Sequence, residues 1–178
     1  MKGIIFNLLQ TVTEEAHGEA AWDEMLSVAD VDGSYTALGN YPDAEITALV
    51  TALAARTGAD SATVLQWFGR AAMPHLRTRY PAFFAPGDPV AMVTTLHDLI
   101  HTEVRKLYPG ADPPDLAFSE ITPSTVTIDY TSGRAMADLA IGFLHGVADA
   151  YGAQLFLQRD DLEADGTHVR LACRFVAA

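Results

Sequence analysis

The spacing of apolar residues along the chain changes near its middle. Up to about Tyr108 apolar positions recur at helical spacing, and after Pro113 they alternate with polar ones, as in half-buried strands. The first pattern predicts helices over residues 3–13, 18–29, 43–57, 61–80 and 89–108. The second pattern predicts strands over 116–120, 125–130, 154–159 and 168–175, with a helix over 135–151.

Residues with marked backbone preferences define several boundaries. Asp60 or Ser61 is suited to cap the fourth helix, and Gly58 lies where the third helix should end. Pro74 falls inside the fourth helix and predicts a kink or break, because proline has no backbone N–H to donate. The order of elements predicts an α+β fold, in which an N-terminal helical subdomain precedes a C-terminal antiparallel sheet with one inserted helix.

Composition and charge narrow the classes of function. The 178 residues are 49% hydrophobic with a net charge of −12, which allows a buried core and disfavours binding to nucleic acid or an anionic membrane surface. No run reaches the roughly 18 apolar residues of a membrane span, and the N-terminus lacks secretory features, so we expect a cytoplasmic protein. The single cysteine, Cys173, excludes an internal disulfide and a Cys-rich zinc site, and its alternating strand predicts a core position.

Two histidines lie four residues apart in the fifth predicted helix. His97 and His101 share one helical face, so they could hold zinc together with a third ligand. The glutamate of an HExxH motif is missing, because Asp98 and Leu99 follow His97. The alternative is one exposed and one half-buried histidine without a metal. These residues alone leave a metalloenzyme open as a hypothesis.

A polar segment, Tyr-Thr-Ser-Gly-Arg, lies where a predicted strand leads into a predicted helix. If the strand geometry continues, Tyr130, Ser132 and Arg134 project to the same side. Two hydroxyls and a guanidinium are then placed to bind a carboxylate or a phosphate. The alternative is an ordinary turn in which Ser132 and Gly133 begin the helix.

Three segments together resemble one known family. They are MKGIIFNLL at residues 1–9, IHTEVRKLYPGADPP at 100–114 and YTSGR at 130–134. In sequence and in order they are similar to the haem nitric oxide/oxygen binding (H-NOX) domain, which is related to the sensor domain of soluble guanylate cyclase. The resemblance covers residues 1–178 as a single domain, with a distal helical subdomain over about 1–60 and a proximal subdomain that contains the sheet over about 61–178.

The resemblance implies a b-type haem between the two subdomains and assigns residues to it. The proximal iron ligand is His101, seven positions before Tyr108, whereas His97 does not match the family pattern. An imidazole is a common proximal ligand of haem iron. The propionate-binding triad corresponds to Tyr130, Ser132 and Arg134, and the proline that presses on the porphyrin corresponds to Pro114.

The distal side of the haem is expected to be apolar. Leu139 stands where oxygen-binding relatives carry a tyrosine whose hydroxyl stabilises bound O₂. The other distal positions also lack hydrogen-bond donors, and they are Phe143, Leu144, Ile5 and Leu9. A pocket without donors favours NO over O₂.

The function that the resemblance implies is a stand-alone ferrous sensor of nitric oxide that also binds CO and is not itself an enzyme. Related stand-alone members act on a histidine kinase or on an enzyme of cyclic-di-GMP turnover. An oxygen sensor is the alternative within the family, and it requires a distal donor such as Tyr151 or Trp67. The alternative from another class is the metalloenzyme built on His97 and His101.

Overall fold

The structure is a computed structural model that describes residues 1–84, 87–95 and 111–177. Its elements follow the predicted order over these residues. The helices are α1 (Gly3–His17), α2 (Glu19–Ala29), α3 (Asp43–Thr57), α4 (Ser61–Arg79), a short 3-10 helix (Pro81–Phe84), α5 (Pro89–Thr95) and α6 (Ala137–Ala150). The strands are β1 (Asp115–Ser119), β2 (Thr125–Thr131), β3 (Ala153–Asp161) and β4 (His168–Ala177).

The predicted α+β fold is confirmed, with a helical half followed by a four-stranded antiparallel sheet that contains one inserted helix. Gly58 ends α3 in the left-handed conformation, and the Asp60 carboxylate caps α4 by accepting a hydrogen bond of 2.7 Å from the Thr63 N–H. The helix predicted over 89–108 is present as α5 up to Thr95, and the rest of it lies outside the described residues.

The sequence predicts a kink or a break at Pro74, and the break is wrong, because α4 continues through this residue to Arg79. Proline leaves the carbonyl four residues earlier, that of Arg70, without its helical N–H donor. Gly146 of α6 packs closely against this carbonyl, since a Cβ added at Gly146 would lie 3.1 Å from the oxygen. Packing against α6 therefore supports the turn of helix that proline weakens.

Two apolar cores divide the molecule, and α4 contributes to both. The first joins α1, α3 and the N-terminal part of α4 around residues such as Phe6, Leu9 and Phe68. The second lies between α6, α5 and the inner face of the sheet, whose strands are ordered β1-β2-β4-β3. Cys173 is buried in this second core as predicted, and burial raises the pKa of its thiol to about 12.

The two cores meet where α4 and α6 cross at very short distance. Glycines on both helices make this possible, because a Cβ added at Gly69 would lie 2.5 Å from the Leu139 carbonyl oxygen and 2.7 Å from the Phe143 nitrogen. A Cβ at Gly142 would collide with the Gln66 carbonyl in the same way. The crossing therefore brings the two backbones into contact. This contact fixes the position of α6 along its axis and its rotation about that axis.

We expect Gly69→Ala to destabilise the protein. Alanine in a helix interior normally gains about 1 kcal/mol over glycine, but forcing a methyl group into a filled contact costs roughly 1–3 kcal/mol. The atoms that it meets belong to the backbone of α6, which cannot rotate away. Thermal unfolding should show a melting temperature a few degrees lower. The control is Gly87→Ala, because a Cβ there meets nothing within 4 Å; equal melting temperatures for both variants would contradict the crossing geometry.

Candidate functional site

The Tyr-Thr-Ser-Gly-Arg segment forms the junction between β2 and α6. Tyr130 is almost fully buried at the end of β2, and Ser132 follows it at the edge of the buried region. The Ser132 N–H donates to the Thr167 carbonyl (2.9 Å), and the Ser132 Oγ accepts from the Arg134 N–H (3.3 Å). These bonds hold the segment in one conformation and direct the chain into α6.

The three predicted anion-binding side chains lie close together. Burial raises the pKa of Tyr130, while Ser132, the Met136 backbone and the Arg134 charge act on the same hydroxyl in the opposite direction. All three residues belong to this one junction, where the Arg134 N–H donates to the Ser132 Oγ at 3.3 Å.

Arg134 forms ion pairs with two aspartates from different parts of the chain. Its Nε lies 2.9 Å from Asp43 Oδ2, and its Nη1 donates to the Asp112 carbonyl and lies 3.4 Å from the Asp112 carboxylate. The side chain is only 17% exposed. The buried Nε has no aligned hydrogen-bond acceptor, so the pairing with Asp43 leaves this donor unsatisfied.

Asp43 in turn binds a second cation, the N-terminal ammonium of Met1, at 2.6 Å. Burial alone would raise the pKa of Asp43, but its interactions with Met1 and Arg134 outweigh burial and hold the pKa below its usual value. One carboxylate at the start of α3 therefore joins the chain terminus to the beginning of α6. This contact links the helical half to the sheet half.

Backbone hydrogen bonds hold the N-terminus at this site. The Met1 ammonium donates to the Tyr41 carbonyl (2.7 Å), and the Tyr41 N–H donates to the Met1 carbonyl (2.9 Å). Gly3 donates to the Gly39 carbonyl at 3.0 Å, and a Cβ at Gly3 would collide with the Thr36 carbonyl. Because Gly3 has no side chain, the first turn of α1 packs directly against the Thr36 carbonyl.

The residues around Arg134 fit the carboxylates of a haem. A guanidinium forms two parallel hydrogen bonds with a carboxylate, and a buried Nε without an aligned acceptor has an unused donor for one of them. Pro114 is half-buried directly before β1, two residues after Asp112. The contact between Asp112 and Arg134 thus brings the Pro114 segment beside the predicted propionate triad.

Four of the predicted distal residues are brought together by α1 and α6. Leu9 is fully buried and Leu139 is 7% exposed within one core, against which Ile5 and Phe143 pack while half-buried. Leu144 lies instead among the residues that face the sheet, such as Ile141 and Val147. The grouped side chains are all apolar.

The helical core also contains aromatic side chains with polar groups, which are Trp22, Tyr35, Tyr41 and Trp67. Within residues 1–84, 87–95 and 111–177, the only buried hydroxyl without a hydrogen-bond partner is Thr13 Oγ1, one helical turn beyond Leu9. The two donors considered for an oxygen sensor have other neighbours. The Tyr151 hydroxyl donates to the Phe84 carbonyl at 3.2 Å, and the Trp67 ring lies 5.6 Å from the ring of His17.

His101, the predicted iron ligand, lies outside the described residues, as do His97 and Tyr108. In the part of the chain that is described, no group of three His, Cys, Asp or Glu side chains lies together as a metal site would require. The described helices also include none with the length and apolar character needed to cross a membrane.

Comparison with protein families identifies the chain. The family model described as Haem-NO-binding matches residues 2–158. The chain belongs to this family. Its members, the H-NOX domains, are haem-based gas sensors. A search of curated proteins finds no match.

Solved H-NOX structures share the fold over nearly the whole chain. The unliganded Fe(II) H-NOX protein from K. algicida has a TM-score of 0.90 at 26% identity, with 100% of this chain and 98% of that chain covered. The H-NOX protein from S. oneidensis in the Fe(II)NO ligation state has a TM-score of 0.89 at 28% identity, with 98% and 99% covered. An oxygen-binding H-NOX domain, solved as its oxygen complex, shares the fold at 22% identity, with a TM-score of 0.84 and 98% and 95% covered.

Sequence reasoning did not find the two acidic partners of Arg134 or the role of the N-terminus. Asp43 is recognisable from the sequence only as the first residue of a helix, and Asp112 only as part of a Pro-rich turn. The sequence contained one signal, which is Gly3 close to Met1. A glycine at such a position indicates that another backbone segment approaches the N-terminus closely. The pairing itself depends on how the two halves pack.

We expect Asp43→Asn to destabilise the protein at neutral pH and to change its pH dependence. Because folding lowers the pKa of Asp43, the ionised carboxylate stabilises the fold above its unfolded pKa, about 3.9, and this contribution is lost as the pH falls through the folded value. Thermal unfolding from pH 7 to pH 3 should show a gap between wild type and variant that closes toward low pH. Asp23→Asn, which removes an exposed aspartate of α2, is the control for loss of one charge. A gap that is constant over this range would contradict the role of Asp43.

Proposed function

We propose that this chain senses nitric oxide through a b-type haem held between the helical and sheet subdomains, which extend over about 1–60 and 61–178. The haem supplies a ferrous iron to which NO or CO binds, and His101 is its protein ligand. Tyr130, Ser132 and Arg134 hold the propionates, and Pro114 presses on the ring. Family membership supports the haem, and the grouping of the triad beside the Pro114 segment supports the orientation.

The observation that carries the choice of NO over O₂ is the apolar cluster around Leu139. This residue packs in the same core as Leu9, with Ile5 and Phe143 beside them. None of these side chains has a hydrogen-bond donor. These four side chains therefore provide no donor to which a polar gas complex could hydrogen-bond.

The missing donor decides selectivity because the two gases differ in their need for it. O₂ binding to haem gains from a hydrogen bond to the partly negative ligand, whereas NO binding depends on it far less. A hydrogen bond to a charged group is worth about 1.5–3 kcal/mol, and a factor of ten in affinity corresponds to about 1.4 kcal/mol. Withholding one donor therefore lowers O₂ affinity by about ten- to hundredfold and leaves NO affinity nearly unchanged.

The signal must reach a separate protein through a change in shape. NO can shift the chain only if it binds more tightly to one of two arrangements of the subdomains. The ion pair of Asp43 with Arg134 joins the two subdomains, and Arg134 is also the residue that holds the propionates. Asp43 pairs in addition with Met1 of its own subdomain. The partner is a histidine kinase or an enzyme of cyclic-di-GMP turnover, and the chain itself acts as a cytoplasmic sensor and not as an enzyme.

Visible spectroscopy of the purified ferrous protein tests the proposed function. We expect a Soret band that shifts on addition of NO and of CO and does not shift in air, apart from slow oxidation of the iron. Leu139→Tyr should introduce O₂ binding if its hydroxyl lies within about 2.5–3.0 Å of the ligand, and Leu139→Phe is the matched control because it adds the ring without the donor.

A stable oxygen complex of the unmodified protein would contradict NO selectivity and assign the chain to O₂ sensing. Thr13→Val would then identify whether the unpartnered Thr13 hydroxyl supplies the donor. A protein purified from haem-replete cells without any Soret band would contradict the haem proposal itself.

The iron ligand is tested by a pair of histidine variants. His101→Gly should abolish stable haem binding or make it depend on added imidazole, because imidazole can replace the missing side chain. His97→Ala, four residues earlier in the sequence, is the control and should retain the ferrous spectrum of the wild type. Loss of haem in His97→Ala with a normal spectrum in His101→Gly would reverse the assignment.

A further inference from the structure

A groove of about 270 Å³ lies toward the end of the sheet opposite Tyr130, because its β3 residues pair with the last residues of β4, whereas Tyr130 pairs with Val169 near the start of β4. Arg70 of α4, together with His145 and Asp149 of α6, forms one wall, and residues 153–156 at the start of β3 form the other. Four consecutive strand residues can line a groove only along the edge of the strand, because neighbouring side chains point to opposite faces. We call this feature the β3-edge groove.

The edge of β3 is free over the described residues. The sheet order β1-β2-β4-β3 places β3 last, and it pairs only with β4. Alternate residues of this nine-residue strand therefore direct N–H and C=O groups away from the sheet. The strand contains no proline, and an exposed edge of this length is a ready template for pairing with another extended segment.

An aromatic–arginine pair lies beside this edge on the outer face of the sheet. Phe156 is 49% exposed, and the guanidinium carbon of Arg174 lies 4.8 Å from the centre of its ring. Val176, diagonal to Phe156 across the strand pair, is also exposed. Exposed aromatic residues and arginines dominate the binding energy of protein interfaces.

Arg174 differs from the other arginine of this face. Arg170, two residues earlier in β4, forms a bidentate ion pair with Asp129 at 2.7 and 3.0 Å. Arg174 pairs with no carboxylate among the described residues and stacks on Phe156 instead. Within the described residues, Arg174 is therefore an exposed arginine without an ion-pair partner, and it is complementary to a carboxylate supplied by another molecule.

We propose that the β3 edge binds an extended acidic segment of a partner protein as an additional strand. Main-chain hydrogen bonds pair it with β3, its side chains on one face enter the β3-edge groove, and a glutamate or aspartate on the other face pairs with Arg174. The guanidinium of Arg174 lies above β3, and an added strand runs about 4.8 Å from β3. A carboxylate side chain spans that distance.

This inference rests on the proposed function, in which a separate protein reads the sensor. The α6 helix provides the connection, because it carries Leu139 and Phe143 of the apolar cluster and, within two turns, His145 and Asp149 of the groove wall. The bidentate contact of Arg70 with Asp149 (2.6 and 2.8 Å) fixes α6 to α4 at the groove. The apolar cluster and one wall of the groove are therefore parts of the same helix.

The test is hydrogen exchange measured on the full haem-loaded chain with a nonapeptide of alternating valine and glutamate. We expect the peptide to slow exchange of alternate amides in β3 and a matching valine–lysine peptide to do so much less. Arg174→Gln should weaken binding of the glutamate peptide about tenfold, the loss expected for one charge-assisted contact. Arg170→Gln, the same change on the same strand face, should leave the affinity unchanged.

Three outcomes would overturn the proposal: no peptide-dependent protection in β3, equal effects of the two arginine variants, or equal binding of the two peptides. Protection of β3 that increases with protein concentration without peptide would overturn it in favour of a second copy of this chain. The NO-dependent Soret shift is recorded on the same samples. Peptide binding without that shift would contradict only the sensor function, and the shift without peptide binding would contradict only the docking surface.

Discussion

The close crossing of α4 and α6 is the contact on which the rest of the molecule depends. Glycines allow the two backbones to touch, and Gly69 lies directly against the backbone of Leu139 and Phe143. Because α6 cannot slide or rotate at this contact, Leu139 faces the helical core while Ile141 and Leu144 face the sheet. The same helix begins after the predicted anion-binding segment and ends beside β3, so one packing constraint positions the candidate sites that lie within the described residues.

A second constraint is electrostatic and joins the two halves near the predicted propionate triad. Asp43 lies between the Met1 ammonium and the Arg134 guanidinium, and Arg134 also contacts Asp112. A carboxylate shared by two cations is stabilised in its charged form, whereas a cation left without it would be partly buried and unpaired. The residue that is expected to hold the propionates therefore also holds the subdomains together, which gives the haem site a direct physical link to the arrangement of the chain.

The spacing of apolar residues predicted the order and type of the described helices and strands. Each of these elements buries one face, and that burial sets the spacing of its apolar residues. Bounds differ from the prediction by a few residues, as for α1, which continues to His17, and β3, which extends from Ala153 to Asp161. The break predicted at Pro74 was wrong for a tertiary reason, since Gly146 packs against the carbonyl that proline leaves without a donor. Local preference was outweighed there by a contact with a helix far away in the sequence.

The sequence by itself determined the α+β order, the apolar character of Leu9 and Leu139, and the motif that assigns the chain to the Haem-NO-binding family. These properties depend on residue types and on short spacings, which are readable along the chain. Only the tertiary structure decided that Asp43 pairs with Arg134, that Leu144 faces the sheet and that Arg174 has no carboxylate partner among the described residues. Each of these features depends on how segments that are distant in the sequence pack against one another. The free energy of that packing is a sum over many long-range contacts, and a local sequence pattern does not reveal which residues make them.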